Sequence, residues 1–481
     1  MNPTMKTKPI LITFMIGAFF AILNETLLNI ALTELMDVFS IEAHTVQWMA
    51  TGFMLVMGVL MPVSALLIQW FTTRQMFIGV MSIFLLGTTI AACAFNFPML
   101  LVGRMVQAVG TGLLIPVIFN ALLLIYPVEV RGKIMGTFGL VIMFAPALGP
   151  TLSGVIVDLL GWRWLFISVI PFAVFSILFA LKYLQNVGEV TRPKADIPSI
   201  ILSSIGIGGI VYAFSSAGES GQGFMSATVL TIIVISLLSL IFFILRQLKL
   251  EEPLLDVRVF KYRNYAQGVS IFVIVVMAMF ASEIVMPMYL QGPLGFSAKL
   301  AGLLLLPGAL LSGLLSPVMG TLFDRFGPRK LIIPGSIVLV AVMIFFSTID
   351  PSLSAWTFMA VYLVLMVAIT SIMMPAETNA LNDLPVHLYP HGTAIATTLQ
   401  PIAGALGVSI FVSIVSQGSN RFIESQTGPV TEQMLDEAMT IGVHHAYWFA
   451  IALSVVALLI AFFMKKAISP DGGAQREGAL H

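Results

Sequence analysis

The sequence predicts an all-α protein that crosses a membrane about fourteen times. Of its 481 residues, 58% are apolar and only 10% are charged, whereas soluble domains average about 25% charged residues. The apolar residues are gathered in runs that are long enough to cross a bilayer as helices. The basic residues lie mostly on one side of these runs. These observations together indicate a polytopic helical membrane protein.

Glycine, proline or charged residues separate the apolar runs and set the order of the predicted spans. The first run, residues 9–36, is too long for the apolar region of a signal peptide and lacks a small-residue cleavage site, so we expect it to remain as the first span. The other spans are expected at 45–68, 76–97, 99–125, 132–159, 164–184, 197–217, 225–246, 266–290, 298–322, 330–349, 355–379, 391–416 and 443–466.

The distribution of lysine and arginine predicts the orientation of the chain. With the N-terminus inside, 19 of the 23 basic residues lie on the cytoplasmic side, three lie outside and Arg104 falls within the fourth span. This asymmetry fits the positive-inside rule. An odd number of spans would place Lys465 and Lys466 outside. Both termini are therefore expected in the cytoplasm.

A short sequence at the end of the second span is repeated at the end of the tenth. Pro, Val, Leu, Phe and Arg of 62–74 and 317–329 match at a constant offset of 255 residues. Both copies lie on the same membrane face, which indicates a parallel repeat of two six-helix halves, as in some transporters. The expected domains are an N-terminal half (1–190), two inserted helices with a cytoplasmic linker (191–262), a C-terminal half (263–468) and a cytoplasmic tail (469–481).

Two acidic residues lie where a membrane span should be apolar. Glu25 is near the middle of the first span, and Glu283 lies within the ninth. A charged side chain at the bilayer centre costs about 2.5–3.5 kcal/mol on insertion scales, so it normally faces a bundle interior or a water-filled path. Both are candidate functional acids; the alternative is a neutral acid that is hydrogen-bonded inside the bundle. Glu377, nearer the cytoplasmic end of its span, is expected to be an interfacial structural acid.

Arg104 introduces a cation into the fourth span, within a stretch that ends at Gly110. A buried guanidinium cannot be neutralised by losing its proton, so it needs an anionic or polar partner. It is therefore a candidate functional residue. The alternative is a structural arginine whose donors are satisfied by backbone carbonyls.

The second copy of the repeat carries a pattern suited to a contact between helix ends. Gly320 allows close helix approach, and Asp324 with the cations Arg325 and Arg329 can pair across the cytoplasmic ends as a latch; Gly327 lies between the two arginines. The alternative is a positively charged loop that only fixes topology.

The fifth span carries Pro146, Gly149, Pro150 and Gly154. Proline frees a backbone carbonyl, and small residues allow tight helix contact. The alternative is a packing kink with no directional meaning, because small residues serve any helix pair.

These patterns resemble motifs of the major facilitator superfamily. The second repeat copy is similar to its cytoplasmic loop signature, whereas the first copy has Ala65 and Gln69 in place of Gly and Asp, so the latch is expected at the second copy. The Arg104 stretch is similar to the fourth-helix motif, in which the arginine is linked to proton coupling. The fifth span resembles the antiporter motif, with Ala145 and Ser153 where glycines are usual.

The first span resembles the signature of the fourteen-helix drug:proton antiporter subfamily, usually Leu-Asp-x-Thr-x-x-Asn. Leu23, Thr26 and Asn29 match, but Asn24 stands where Asp is usual, and the acid is Glu25. One residue is about 100° around a helix, so the carboxylate is expected to face a different direction. The chain as a whole resembles lincomycin-resistance-type exporters of Gram-positive bacteria.

The resemblance implies a major facilitator fold in a bacterial plasma membrane and proton-coupled multidrug efflux by alternating access. Proton coupling is expected of Glu25, Arg104 and Glu283. Drug binding is expected of both acids and of the polar and apolar side chains near them, Asn24, Asn29, Gln107, Met286 and Tyr289. The alternatives are a dedicated exporter of one metabolite, lipid or peptide and, from other classes, a channel or a membrane enzyme.

No cofactor or metal is expected. The sequence lacks a glycine-rich nucleotide-binding loop with Lys-Ser/Thr, so the energy source is expected to be the proton gradient rather than ATP. A single cysteine, Cys93, excludes an internal disulfide and a multi-cysteine metal site, and six scattered histidines do not form a site. The expected partners are small-molecule drugs, protons and the bilayer, without nucleic acid, and the chain is expected to act as a monomer.

Overall fold

The computed structural model is a bundle of long helices. It describes residues 7–41, 43–46, 48–187, 190–219, 226–426 and 431–467, and no β-strand occurs within these ranges. The helices are α1 (Thr7–Phe39), α2 (Ala43–Val46), α3 (Trp48–Trp70), α4 (Thr73–Ala92), α5 (Phe97–Ile125), α6 (Val128–Leu160), α7 (Trp164–Ile167), α8 (Ile170–Tyr183), α9 (Ile197–Glu219), α10 (Ala227–Lys249), α11 (Arg263–Gln291), α12 (Ala298–Phe326), α13 (Arg329–Phe346), α14 (Ala355–Asn382), α15 (Tyr389–Ser425) and α16 (Glu432–Phe463). Short 3₁₀ turns precede α11 and α15, at Val257–Lys261 and Val386–Leu388.

The helices confirm the predicted polytopic membrane architecture. In the described part of the chain, thirteen helical segments are long and apolar enough to cross a membrane, with α7 and α8 counted as one. α6, with 33 residues, is a further long helix. The sixth predicted span is interrupted after Ile167 because Pro171, near the start of α8, cannot donate the backbone hydrogen bond of a continuous helix.

Two predicted boundaries near the C-terminus are wrong. α15 continues to Ser425 rather than to residue 416, and α16 begins at Glu432 rather than at 443. Thr431 caps the start of α16 by accepting a hydrogen bond from the Met434 amide, at 3.2 Å. The added turns are polar, so hydropathy marks only the part of each helix that lies in the membrane.

The apolar cores show where the two halves of the bundle meet. We call α1–α8 the N-terminal half, α11–α16 the C-terminal half and α9–α10 the inserted pair. One core cluster fills the N-terminal half, and a second cluster fills most of the C-terminal half. The first cluster also takes in residues from the cytoplasmic ends of the C-terminal helices, among them Tyr265, Leu381, Leu384 and Tyr389. The halves are therefore joined on the side that the basic residues assign to the cytoplasm, and their outer parts keep separate cores.

Close contact between α6 and α12 forms one side of this junction. A Cβ atom added to Gly320 would lie 2.0 Å from the carbonyl oxygen of Gly132, and one added to Gly136 would lie 2.4 Å from the carbonyl oxygen of Ser316. These distances are shorter than van der Waals contact, so the two helix backbones touch only because neither glycine carries a side chain. α3 and α15 form the opposite side of the junction, and α9 packs against both of them.

Candidate functional site

Arg104 is at the centre of a buried polar network in the N-terminal half. It is 1% exposed, and its Nη1 donates hydrogen bonds to Asn24 Oδ1 and to Gln107 Oε1, both at 3.2 Å. The guanidinium lies over the ring of Phe53, 4.3 Å from the ring centroid. Its buried Nε has no hydrogen-bond partner among the described residues. The cation is thus held by two amides and an aromatic ring, and one of its donors is left over.

The two amides are bonded to each other and to two further helices. Gln107 Nε2 donates to Asn24 Oδ1 at 3.0 Å and to Thr88 Oγ1 at 2.8 Å. Asn24 Nδ2 donates to the carbonyl of Leu165 at 3.3 Å. The network therefore ties α1, α4, α5 and α7 together. Since Asn24 is 2% exposed and Gln107 is fully buried, neither presents a surface to a drug in this conformation.

Glu25 lies beside this network without belonging to it. Its side chain is half-buried and forms no hydrogen bond with Arg104, Asn24 or Gln107 in the described structure. It nevertheless interacts electrostatically with the Arg104 guanidinium. The one-residue shift from the usual acid position therefore places a neutral amide on the arginine and turns the carboxylate to another side of α1.

Glu283 lies on an exposed strip of α11. Ile284 and Met288 on the same strip are 43% and 41% exposed, and Glu283 is exposed as well. The other sides of α11 pack against α14, α15 and α16, and Tyr362 of α14 interacts electrostatically with Glu283.

The other predicted drug contacts of α11 do not lie on that strip. Met286 and Tyr289 are both 0% exposed and belong to the core of the C-terminal half. Around the helix axis, Met286 is about 60° and Tyr289 about 120° from Glu283, on the side away from Ile284 and Met288, so both side chains turn from the strip into the core. The side chain of Asn29 lies outside the described residues.

The fifth-span motif brings α6 onto α1 next to the candidate acid. A Cβ atom added to Gly149 would lie 2.1 Å from Thr26 Oγ1, so only glycine permits this approach. Ser153, which replaces the usual glycine, is buried and donates a hydrogen bond to the carbonyl of Leu27. The motif therefore fixes α6 to the residues that immediately follow Glu25.

Not every residue of that motif is in close contact. Gly154 has no atom within 4 Å of an added Cβ, so its small size is not needed for helix packing in this conformation. Pro146 is partly buried, and the side chain of Pro150 lies outside the described residues.

Asp324, the acid of the predicted latch, contacts the other half through different partners from those expected. Its two carboxylate oxygens accept hydrogen bonds from the backbone N–H groups of Gly132 and Lys133 in α6, both at 2.8 Å. A carboxylate that accepts two amide hydrogen bonds near a helix N-terminus is stabilised by charge and by the helix dipole. Asp324 of the C-terminal half thus binds the backbone of α6 in the N-terminal half.

The cations of the motif act within the C-terminal half. Arg329 Nη2 donates to the carbonyl of Phe462 in α16 at 2.7 Å, and the Arg325 guanidinium lies over the ring of Phe326, 5.1 Å from its centroid. The expectation that they pair with Asp324 across the two halves is wrong for the described structure, because backbone amides occupy the carboxylate. Gly327 ends α12 with a φ of +78°, a conformation that favours glycine.

Arg131 provides a contact between the halves that the sequence did not predict. It is 6% exposed, and its Nη1 donates to Asn382 Oδ1 at 3.1 Å and to the Tyr389 hydroxyl at 2.9 Å. Glu377, on the same stretch of α14 as Asn382, is also 6% exposed. The prediction of an interfacial Glu377 is therefore wrong. In the sequence, a charged residue near a helix end is most simply read as marking the membrane boundary. No sequence signal showed that the junction between the halves encloses Arg131 and Glu377.

Comparison with known proteins identifies the family. The model of the Major Facilitator Superfamily matches residues 14–408 and 270–480. The lincomycin resistance protein LmrB of Bacillus subtilis is 47% identical over 461 residues, 96% of each chain, and its namesake in Listeria monocytogenes is 48% identical over 459 residues, 95% of this chain and 97% of that one. The solved proton:xylose symporter XylE shares the fold, with a TM-score of 0.63 over 97% of this chain and 98% of that chain at 14% identity. The chain belongs to the major facilitator superfamily.

Proposed function

We propose that this transporter exports drugs in exchange for protons and that Glu25 carries the coupling proton. The observation that carries the proposal is a half-buried Glu25 carboxyl that interacts electrostatically with Arg104, a cation whose hydrogen-bond partners among the described residues are neutral. The lincomycin resistance proteins, nearly half identical over almost the whole chain, support drug export as the direction of transport.

Arg104 gives the coupling site a permanent positive charge. Arginine keeps its proton in proteins, so the guanidinium stays charged through the cycle. When Glu25 loses its proton, its carboxylate is attracted to this charge, and the unpartnered Nε–H is an available donor. When Glu25 is protonated, the attraction is lost. The protonation state of one side chain thus changes the force between α1 and α5.

Asn24, Gln107 and Phe53 act as positioning residues in this proposal. They hold Arg104 by two hydrogen bonds and a ring contact without neutralising it. An aspartate at position 24 would pair directly with the cation and reduce the attraction that is available to Glu25. The neutral residue at position 24 and the acid at position 25 are thus two parts of one arrangement.

Glu283 is proposed to bind the drug from the opposite half. A carboxylate on an exposed strip with Ile284 and Met288 offers charge and adaptable apolar surface to an amphiphilic cation. Entry of a drug cation would favour deprotonated acids, and protons arriving from outside would favour release of the drug. Competition for the same acids is sufficient to couple the two fluxes.

Alternating access is proposed to occur by rocking of the two halves around a site near the membrane midplane. The structure is closed on the cytoplasmic side, so it corresponds to the conformation that releases drug outward. Uptake of drug from the cytoplasm then requires separation of α6 from α12 and loss of the Asp324 and Arg131 contacts.

Efflux from proteoliposomes with an imposed pH gradient tests the proposal. The parent is compared with Glu25→Gln, Glu283→Gln and, as a control, Asp158→Asn, which changes an exposed acid near the outer end of α6. The probes are lincomycin, ethidium as a permanent cation and chloramphenicol as an uncharged drug. We expect Glu25→Gln to abolish the dependence on the gradient for every transported probe, and Glu283→Gln to reduce ethidium efflux more than chloramphenicol efflux. Parental behaviour of both variants would overturn the proposed role of the acids.

A further inference from the structure

Within the inserted pair, α9 lies along α3 over most of its length. At the outer end, the rings of Trp48 and Tyr212 are 5.9 Å apart between centroids. Near the middle of the helices, a Cβ atom added to Gly208 would lie 3.0 Å from Val59 Cγ2, and one added to Gly58 would lie 3.4 Å from Ile207 Cγ2. Small residues on both helices thus let α9 approach α3 closely.

The cytoplasmic end of this contact is fixed by hydrogen bonds. Trp70 Nε1 donates to the carbonyl of Pro193 at 2.7 Å, and the carbonyl of Gln69 accepts from the Thr191 N–H at 3.1 Å. The segment that leads into α9 is therefore attached to the last turn of α3. Contacts at the outer end, in the middle and at the cytoplasmic end leave α9 little freedom to move relative to α3.

α10 packs against α9 and is joined to its cytoplasmic end by hydrogen bonds. Arg246 donates two hydrogen bonds to the Asp196 carboxylate, at 2.6 and 2.8 Å, and this guanidinium lowers the pKa of Asp196 to about 2. Gln247 Nε2 also donates to Ser199 Oγ at 2.6 Å. The two inserted helices therefore form one unit on the surface of α3.

The same unit reaches the C-terminal half through α15. Ser409, which is 3% exposed, donates to the carbonyl of Phe214 near the outer end of α9, at 2.7 Å. At the cytoplasmic end, the Asp256 N–H in the linker after α10 donates to His391 Nδ1 at 3.2 Å. The inserted pair thus bridges the seam between α3 and α15 on the outer side and touches the start of α15 on the cytoplasmic side.

We infer that the inserted pair moves as a body with the N-terminal half and that α15 slides along α9 at the Ser409–Phe214 contact in every transport cycle. If α3 and α15 move relative to each other, α9 cannot keep fixed contacts with both. Its contacts with α3 comprise a ring contact at the outer end, close helix approach in the middle and hydrogen bonds at the cytoplasmic end. It also packs against α15, where the one described hydrogen bond is that of Ser409 to the Phe214 carbonyl. The pair therefore seals one seam between the halves while permitting their motion.

Cysteine cross-linking in a Cys93→Ser background tests this inference, since Cys93 is the single cysteine of the chain. One protein carries Val59→Cys and Gly208→Cys, whose Cβ atoms lie within reach of a disulfide. The other carries Phe214→Cys and Ser409→Cys, joined by a short bifunctional methanethiosulfonate. We expect efflux to stay within about twofold after the first cross-link. We expect it to fall at least about tenfold after the second and to recover on reduction.

The opposite result, a block by the first cross-link and free transport with the second, would assign the inserted pair to the C-terminal half. Blocks by both, or by neither, would also overturn the inference.

A second measurement does not depend on which drugs are transported. Spin labels on the outer ends of α3, α9 and α15 should report a constant α3–α9 distance and an α9–α15 distance that changes between acidic and alkaline pH. A constant α9–α15 distance alongside a changing α3–α15 distance would contradict it.

Discussion

Two contacts between the halves close the cytoplasmic side of the transporter, one between α6 and α12 and the other between α3 and α15. Each includes one copy of the sequence repeat, but the two contacts are formed by different interactions. Where α12 meets α6, glycines bring the backbones together, and Asp324 accepts two amide hydrogen bonds at 2.8 Å. Where α3 meets α15, Gln69 Nε2 lies 3.5 Å from His391 Nε2, and the Gln69 carbonyl is bonded to the segment that leads into α9.

The difference indicates unequal roles for the two sides of the junction. The α6–α12 contact needs only its own two helices. The α3–α15 contact has a weak side-chain interaction and is covered by the inserted pair. Both copies of the sequence repeat thus lie at the junction between the halves. Only the second copy has the glycine and aspartate, Gly320 and Asp324, that form the tight contact. We expect closure to depend mainly on α6 and α12.

The largest effect is expected from Gly320→Ala. The added Cβ would meet the Gly132 carbonyl at 2.0 Å, and overpacking costs about 1–3 kcal/mol, which corresponds to about fivefold to 150-fold in the closed population. Drug efflux should fall by a similar factor. Gly302→Ala is the matched control on the same helix because no atom lies within 4 Å of its added Cβ. Equal activity of the two variants would show that the contact does not close the transporter.

Asp324→Asn should have the next largest effect. The amide keeps one acceptor for the N–H groups of Gly132 and Lys133 but loses the charge and turns an NH₂ group towards a donor. Hydrogen bonds to charged groups contribute about 1.5–3 kcal/mol, so we expect efflux to fall about tenfold. In the Cys93→Ser background, a cysteine introduced at the α6–α12 junction should become more accessible from the cytoplasmic side in the same variant. An unchanged accessibility would separate the loss of activity from the latch.

Gln69→Ala should change efflux by about twofold or less, because a contact of 3.5 Å is at the limit of a hydrogen bond. Its backbone bond to Thr191 is retained in the variant. The same proteoliposome assay measures the effect. A loss as large as that of Asp324→Asn would show that the two closing contacts are equivalent after all.

Asp196→Asn tests the support that the inserted pair gives to the α3 side, and the smallest effect is expected here. The Arg246 guanidinium lowers the pKa of Asp196 to about 2, whereas an unpaired aspartate titrates near about 3.9. A lowered carboxyl pKa contributes stability above the unfolded value and loses it as the pH falls through the folded value. Thermal unfolding in detergent should show a small, constant destabilisation from pH 5 to 9 that disappears as the pH falls from about 4 to about 2. A difference that varies between pH 5 and 9 would contradict this origin.

Much of the architecture could be predicted from the sequence because its signals are local. Apolar length gives the spans. The distribution of basic residues predicts the orientation, which stays a prediction. The glycine and aspartate of the repeat indicated the helix that contacts the other half closely. The offset between Asn24 and Glu25 also predicted that the carboxylate and its neighbour face different directions, which agrees with their positions beside and within the Arg104 network.

The parts that could not be predicted depend on which helix faces which. In a membrane protein, lipid-facing, core and cavity faces are all apolar, so the sequence does not show that Met286 and Tyr289 point into the core. The partners of Asp324 are backbone amides, which leave no residue pattern. Arg131 is a basic residue on the cytoplasmic side. It is enclosed because the two halves pack together there, and its partner Asn382 is 251 residues away in sequence.

Proton release on drug binding is the most direct test of competition between drug and proton at Glu25. Ethidium or lincomycin is added to purified protein in weakly buffered detergent solution, and a pH indicator records the protons that are released. The parent should release protons on binding, and Glu25→Gln should release clearly fewer at the same drug occupancy. Binding without proton release by the parent, or undiminished release by Glu25→Gln, would contradict the proposed role of Glu25 in coupling.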